Sequence, residues 1–164
     1  MIVFDSSPLI HLSKLGKIEY ALQIFGPITI SSAVYTEVIT NGLEKGYADA
    51  SLLKRFYDEK RIVCKEIKDE TNTFKGYLHD GEYQSILLAE QGKALLVIDE
   101  RKGRIIAKQK NVPFQTTLGM MLILLKEKQI DSNHYIENLN KYANNGWISI
   151  QVRDEFKNKV NEDE

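Results

Sequence analysis

Four acidic side chains stand where a parallel sheet would bring them together. Asp5 follows the apolar run MIVF and Asp99 follows ALLVI, each at the end of a predicted strand. Glu37 lies in a predicted helix after the run ITI, and Glu82 lies in the first turn of a predicted helix that begins near Asp80. In open parallel sheets, ligands bind beyond the carboxyl ends of the strands. The spacing therefore predicts a carboxylate cluster at that edge of the sheet.

Each of these acids also has an ordinary explanation. Acids that follow strands could cap the next helix, and acids in a first helical turn could complement the helix dipole. Glu37 could be a solvated helix residue, although it lies in the apolar stretch AVYTEVI, where a carboxylate at the edge of a buried face needs a partner. For the residues taken singly, both interpretations stay open.

Taken together, the acids point to metal chemistry. Two carboxylates about 4 Å apart repel each other by roughly 4 kcal/mol at an effective dielectric constant of about 20, so a convergent cluster needs a cation to stay ionised. Oxygen ligands suit Mg²⁺ or Mn²⁺ rather than zinc. Such ions activate water and neutralise charge in phosphodiester hydrolysis. The chain offers no Ser/His/Asp or Cys/His set, and its single cysteine, Cys64, has no neighbours that would make a thiolate metal site.

The elements that would position these acids alternate along the chain. Longer segments with helical spacing separate five short apolar runs that predict strands: MIVF, ITI, RIVCKEI, ALLVI and VPFQT. This alternation predicts an α/β fold, with helices on both faces of a central, mostly parallel sheet. The helix after ITI is predicted to stop at Asn41–Gly42. We expect a single domain over residues 1–152 and a charged tail over 153–164 that frays.

Charge and hydropathy restrict the partners. Twenty-two Lys and Arg balance 23 Asp and Glu, so a nucleic-acid site has to be a local basic patch. The segment after Asp99 supplies one, in which Arg101 and Arg104 are the candidates for phosphate contacts. The eight tyrosines follow no ordered stripe that would predict base stacking. The longest apolar run, MMLILL, is far below the roughly 20 residues that cross a membrane, and no signal peptide is visible, so we expect a cytoplasmic protein.

Five motifs in order carry a family resemblance: VFDSSPLIHL, SSAVYTEV, DGEYQSILLA, LLVIDERKGRIIA and TTLGMMLILL. They resemble the successive motifs of a PIN domain, most closely those of the DUF3368-type branch of small prokaryotic proteins. The resemblance implies a three-layer α/β/α sandwich and an Mg²⁺- or Mn²⁺-dependent endoribonuclease acting on RNA. It also implies a toxin of a toxin–antitoxin pair, with an antitoxin protein as partner, and a homodimer.

The resemblance also assigns roles to residues. The four catalytic, metal-holding acids would be Asp5, Glu37, Glu82 and Asp99. Supporting or alternative ligands would be Ser6, Asp80, Glu100 and Thr117. Where the family often has a Gly-Thr pair, this chain has Thr116–Thr117. A catalytically weak or inactive module that binds nucleic acid or protein is therefore the alternative.

A third interpretation is an aspartyl-phosphate phosphatase or receiver on a similar α/β scaffold. The phosphatase pattern requires a second aspartate two residues after the nucleophile, and Ser7 occupies that place. A receiver requires an acidic pair before the phosphorylated strand and a lysine at the end of a late strand, and neither is evident in the sequence. The residues disfavour this class.

Overall fold

A computed structural model describes residues 1–67, 73–74 and 76–160 of the chain. The chain divides into two compact units, Met1–Thr117 and Leu118–Glu164. The candidate acids all belong to the first unit. The predicted single domain over 1–152 stays a prediction.

The first unit is built on a five-stranded sheet with strand order β3-β2-β1-β4-β5. Every pairing between neighbouring strands is parallel. The strands match the five predicted runs: β1 (Ile2–Phe4), β2 (Ile28–Ser31), β3 (Ile62–Lys65), β4 (Leu95–Val97) and β5 (Phe114–Gln115). The central strand β1 is fully buried, as expected for a strand covered on both faces.

Helices connect these strands: α1 (Ser6–Lys14), α2 (Ile18–Phe25), α3 (Ser32–Tyr35), a π-helical turn (Thr36–Thr40), α4 (Asn41–Glu44), α5 (Ala48–Asp58), α6 (Asp80–Gly92) and α7 (Arg101–Gln109). From β1 the chain winds first through β2 to β3, and then returns to β4 and β5 on the other side. Right-handed crossovers in these opposite directions place helices on both faces of the sheet. The predicted α/β/α architecture is confirmed.

The predicted helix stop at Asn41–Gly42 is wrong, because helical backbone continues through both residues to Glu44. Gly42 is buried, and a Cβ at this position would lie only 2.6 Å from the Cβ of Ala50. The glycine therefore allows α4 and α5 to approach closely, and it does not end a helix. The chain turns at Gly46 instead, where φ is +73°.

The second unit contains three helices in its described part: α8, which begins at the end of the first unit (Thr117–Lys126), α9 (Ser132–Asn144) and α10 (Ile150–Asn158). Asp131 caps α9 by accepting a hydrogen bond from the backbone N–H of His134. The Tyr135 hydroxyl donates to the carbonyl of Phe156 at 3.3 Å and joins α9 to α10. Helix α10 was not predicted and covers the start of the segment expected to fray. No helix in the described residues is long and apolar enough to cross a membrane.

Candidate active site

Asp5 and Asp99 lie at the same edge of the sheet, because β1 and β4 are parallel neighbours with Phe4 opposite Val97. The backbone N–H of Asp5 donates to the carbonyl of Val97 at 3.0 Å and extends this pairing. Asp5 takes the N-cap position of α1, but its side chain forms no capping hydrogen bond. It is only 3% exposed, and its Oδ1 has no hydrogen-bond partner among the described residues. A helix-capping role therefore does not explain why a carboxylate is buried at position 5.

Glu37 reaches the same edge from the helical segment that follows β2. The Ser6 hydroxyl donates to Oε2 of Glu37 at 2.6 Å. Glu37 lies in the π-helical turn, a distortion that is frequent at functional sites. The extra residue in such a turn changes the direction of the side chains that follow it. Glu37 thus has the partner that its position requires, and this partner is Ser6, the residue next to Asp5.

Gly81 marks the point where these groups meet. A Cβ on Gly81 would lie 3.2 Å from Glu37 Oε2, 3.5 Å from Ser6 Oγ and 3.6 Å from Asp5 Oδ1. Three oxygens therefore lie around the position that a Cβ would take, and the contact with Glu37 Oε2 would be the tight one. The sequence interpretation did not single out this residue, although an isolated glycine inside a helical pattern is a signal for close packing or function.

Glu82 is buried at the start of α6, with 8% of its surface exposed. Its Oε2 accepts a hydrogen bond from the backbone N–H of His79 at 3.1 Å, which completes a capping box. Burial raises the pKa of Glu82, and the nearby charges of Glu100 and Glu37 raise it further. Asp80, the rival for this position, is exposed at the first residue of the helix. Glu82 is therefore the acid of this pair that faces the cluster.

Asp99 is held by two residues from distant parts of the chain. Thr117 donates its backbone N–H to Oδ1 and its hydroxyl to Oδ2, both at 2.7 Å. The Nδ1 of His11 lies 3.0 Å from Oδ2. The sequence interpretation placed Thr117 near the metal but missed His11, which is 88 positions away from its partner and gives no local signal.

The two aspartates at this edge differ in electrostatics. Burial raises the pKa of Asp5 to about 7; a backbone hydrogen bond from Ser6 opposes this shift, and the charges of Glu82, Glu37 and Asp99 add to it. Burial also raises the pKa of Asp99, but the hydrogen bonds from His11 and Thr117 outweigh burial and leave it below its ordinary value.

The remaining candidates lie on α7. Glu100 is the N-cap residue of this helix and accepts from the backbone N–H of Lys102 at 3.5 Å. Arg101, the first residue of α7, is exposed. Arg104 is half-buried, and its Nε has no hydrogen-bond partner within the described part of the chain. Both arginines thus lie within the first four residues of the helix that follows Asp99.

The donor set fits a hard divalent cation. The converging groups are carboxylate and hydroxyl oxygens, and one buried carboxylate oxygen of Asp5 has no described partner. As they stand, no three described Asp, Glu, His or Cys side chains are placed to hold a metal ion. Three of the acids are oriented by hydrogen bonds instead: Glu37 pairs with Ser6, Glu82 with the His79 N–H and Asp99 with Thr117. Binding an ion would require these side chains to rotate.

Comparisons with known proteins point to one family. Residues 1–162 match the DUF3368 family model, which is described as a PIN domain. Among solved structures, the chain is similar to a PilT N-terminus domain protein from the hyperthermophilic archaeon Sulfolobus solfataricus, with a TM-score of 0.52 and 16% sequence identity. That similarity covers 71% of this chain and 86% of the archaeal chain, and it concerns the fold. No curated protein matches.

Proposed function

The chain belongs to the PIN domain family, whose members are generally nucleases, and from this premise we propose that it is an Mg²⁺- or Mn²⁺-dependent endoribonuclease. The observation that carries the proposal is the convergence of oxygens from Asp5, Ser6 and Glu37 on the space above Gly81. The buried Oδ1 of Asp5 has no hydrogen-bond partner among the described residues, which is costly in a stable fold. A cation would supply the missing partner.

In this mechanism the acids of the sheet edge would hold the metal: Asp5, Glu37, Glu82 and Asp99. A bound cation would activate water for attack on the phosphodiester and neutralise charge on the leaving oxygen. Thr117 keeps Asp99 ionised and fixes its orientation through two hydrogen bonds. Ser6 orients Glu37 through one hydrogen bond from its hydroxyl group. Arg101 and Arg104 contact substrate phosphates, and no side-chain nucleophile is needed.

A cleavage assay tests the proposal. Purified protein should cut single-stranded RNA with Mn²⁺, stop when EDTA is added, and resume when Mn²⁺ is restored. Asp5→Asn and Asp99→Asn should each lose more activity than the roughly 10–100-fold typical for an outer-shell partner of a metal ligand. Asp58→Asn is the matched control, because Asp58 is an exposed acid at the end of α5, just before the amino end of β3. Equal cleavage by all three variants would assign the activity to a contaminant.

Calorimetry tests the metal site independently of any substrate. Mn²⁺ should bind the wild-type protein and the Asp58→Asn variant, and binding should weaken strongly in Asp99→Asn. An absence of Mn²⁺ binding to the wild-type protein would remove the mechanism at its base.

One observation favours the alternative of a catalytically weak or inactive binding module. The described acids already have hydrogen-bond partners in three cases, and no three of them hold a metal position as they stand. Retained RNA binding without Mn²⁺-stimulated cleavage across many substrates would establish this alternative.

The proposed biological role is that of a toxin, active as a homodimer and covered by an antitoxin protein. Expression from an inducible promoter should then arrest growth, and Asp99→Asn should relieve the arrest at an equal protein level. Continued arrest by the Asp99→Asn variant would show that RNA cleavage at this site is not the cause.

A further inference from the structure

Tyr77 and Lys102 form an exposed aromatic and cationic pair, here called the Tyr77–Lys102 platform. Tyr77 is 44% exposed, and the Lys102 Nζ lies 5.1 Å from the centre of its ring. Tyr77 precedes α6 by three residues, whereas Lys102 lies in the first turn of α7. The platform therefore joins the start of α6, which carries Glu82, to the start of α7, which follows Asp99.

The ring of Tyr77 stands on a fixed backbone. The backbone N–H groups of Tyr77 and Leu78 both donate to the carbonyl of Phe74, at 2.9 and 3.1 Å. Leu78 is buried, and the Phe74 ring packs 6.2 Å from the ring of Tyr83. The neighbours of Tyr77 are thus anchored while its own ring faces solvent. A tyrosine side chain has few rotatable bonds, so its ring loses little conformational freedom when it binds a flat partner.

The core fixes the platform next to the acidic edge. Leu78, which follows Tyr77, belongs to the same apolar cluster as Ile98, which precedes Asp99. On the other side, the backbone N–H of Lys102 is bound to the side chain of Glu100. The platform is therefore attached to the edge through both of its residues.

We propose that the Tyr77–Lys102 platform is a nucleobase subsite for single-stranded RNA, where the Tyr77 ring stacks on one unpaired base and Lys102 neutralises an adjacent phosphate. Stacking accepts any base, because every base has a π face, and it requires a base that is not enclosed in a duplex. This subsite rests on the proposed function of the acidic edge as the place where RNA is cut. It predicts that cleavage occurs at a fixed distance from the stacked base.

The molecule contains a matched control. Lys17 lies 5.3 Å from the ring of Tyr20, so the same pair of residue types occurs elsewhere. The neighbouring Glu19 pairs with Arg61, which immediately precedes β3, so this second pair lies towards the amino ends of the strands. Tyr20→Ala removes the half-buried ring of this second pair at a distance from the acids.

The test measures binding of a short fluorescein-labelled oligouridine by fluorescence anisotropy in EDTA, so that it does not depend on cleavage. Tyr77→Ala should weaken binding on the order of tenfold, within the range for loss of one base–aromatic stack. Tyr77→Phe, which keeps the ring, should retain most of the affinity, and Tyr20→Ala should match the wild type. Lys102→Gln should reduce the slope of log K against log salt by about 0.7, as expected for one phosphate contact on a single strand.

Oligonucleotides with one abasic position, moved stepwise along the chain, complete the test. At the position that stacks on Tyr77, removal of the base should weaken binding to the wild type and should have no further effect in Tyr77→Ala. Equal affinity of Tyr77→Ala and wild type for the intact oligouridine would overturn the subsite. The same result is expected if the platform binds a protein instead of RNA. If cleavage fails but this binding pattern holds, the proposed catalytic function is wrong and the subsite stands.

Discussion

Replacing Asp5 with asparagine should stabilise the metal-free protein, and the gain should increase with pH. Asp5 is 3% exposed, and burial raises the pKa of its carboxyl group to about 7 from an ordinary value of 3.8. Asparagine has nearly the same shape but cannot ionise. The substitution therefore removes the cost of placing a negative charge in this buried position.

The sign follows from proton linkage. The unfolded chain releases the Asp5 proton near its ordinary pKa, whereas the folded protein holds it until about pH 7. The contribution of this group to stability is therefore fully present below pH 4 and is lost as the pH rises through 7. The difference between the two pKa values corresponds to about 4 kcal/mol at most. Between pH 5 and 8, the advantage of Asp5→Asn over wild type should grow by about 3 kcal/mol.

Urea unfolding in EDTA at pH 5, 6, 7 and 8 measures this advantage directly. Asp99→Asn is the control of opposite sign, because hydrogen bonds hold the pKa of Asp99 below its ordinary value. The ionised Asp99 stabilises the fold above the unfolded pKa, and this stabilisation is lost only as the pH falls to acid values. Asp99→Asn should thus destabilise the protein across the whole range. A difference between Asp5→Asn and wild type that stays constant from pH 5 to 8 would refute the reasoning.

Other substitutions at the site should separate stability from activity. Gly81→Ala places a Cβ 3.2 Å from Glu37 Oε2; in RNA cleavage assays it should be much less active, while its melting temperature stays the same or rises, because alanine is about 0.5–1 kcal/mol better than glycine inside a helix. Thr117→Val removes one of two hydrogen bonds that Thr117 makes to Asp99 and should weaken calorimetric Mn²⁺ binding roughly 10–100-fold. His11→Leu should weaken it as well, and His11→Asn, which keeps an N–H group near Nδ1, should restore part of the loss.

The sequence predicts the sheet well because its signals are local. A fully buried parallel strand is a short apolar run, and each of the five runs forms a strand. The carboxyl ends of parallel strands lie at one edge by geometry, so the strand assignment predicts that Asp5 and Asp99 share an edge. That β1 and β4 are direct neighbours is shown by the structure. The approach of Glu82 to this edge follows in the same way, from a helix that begins there.

Ser6 and Thr117 were expected near the acids from the family resemblance, but other contacts that complete the site are not local and could not be predicted. The π-helical turn that carries Glu37 has no composition signal of its own, and the predicted stop at Gly42 confused close packing on Ala50 with a helix end. His11 and Asp99 meet only through the tertiary fold. The same holds for the Tyr77 ring and Lys102, since pairs of residues from different segments leave no periodic pattern in the sequence.

The acids differ in how much free energy each would gain by binding a cation, because they differ in their existing hydrogen bonds. Glu37 and Asp99 would exchange or share existing hydrogen bonds from hydroxyl groups, so part of what a metal offers them is already supplied by the protein. The Oδ1 of Asp5 has no such partner among the described residues, and the burial that raises its pKa is the same burial that a cation would make favourable. Asp5 should therefore contribute the largest share of the binding free energy for Mn²⁺. Because it must lose a proton held to about pH 7 in order to bind, Mn²⁺ affinity should increase up to roughly tenfold for each pH unit below 7 and level off above it. An affinity independent of pH between 5 and 8 would show that Asp5 is not the ligand that drives binding.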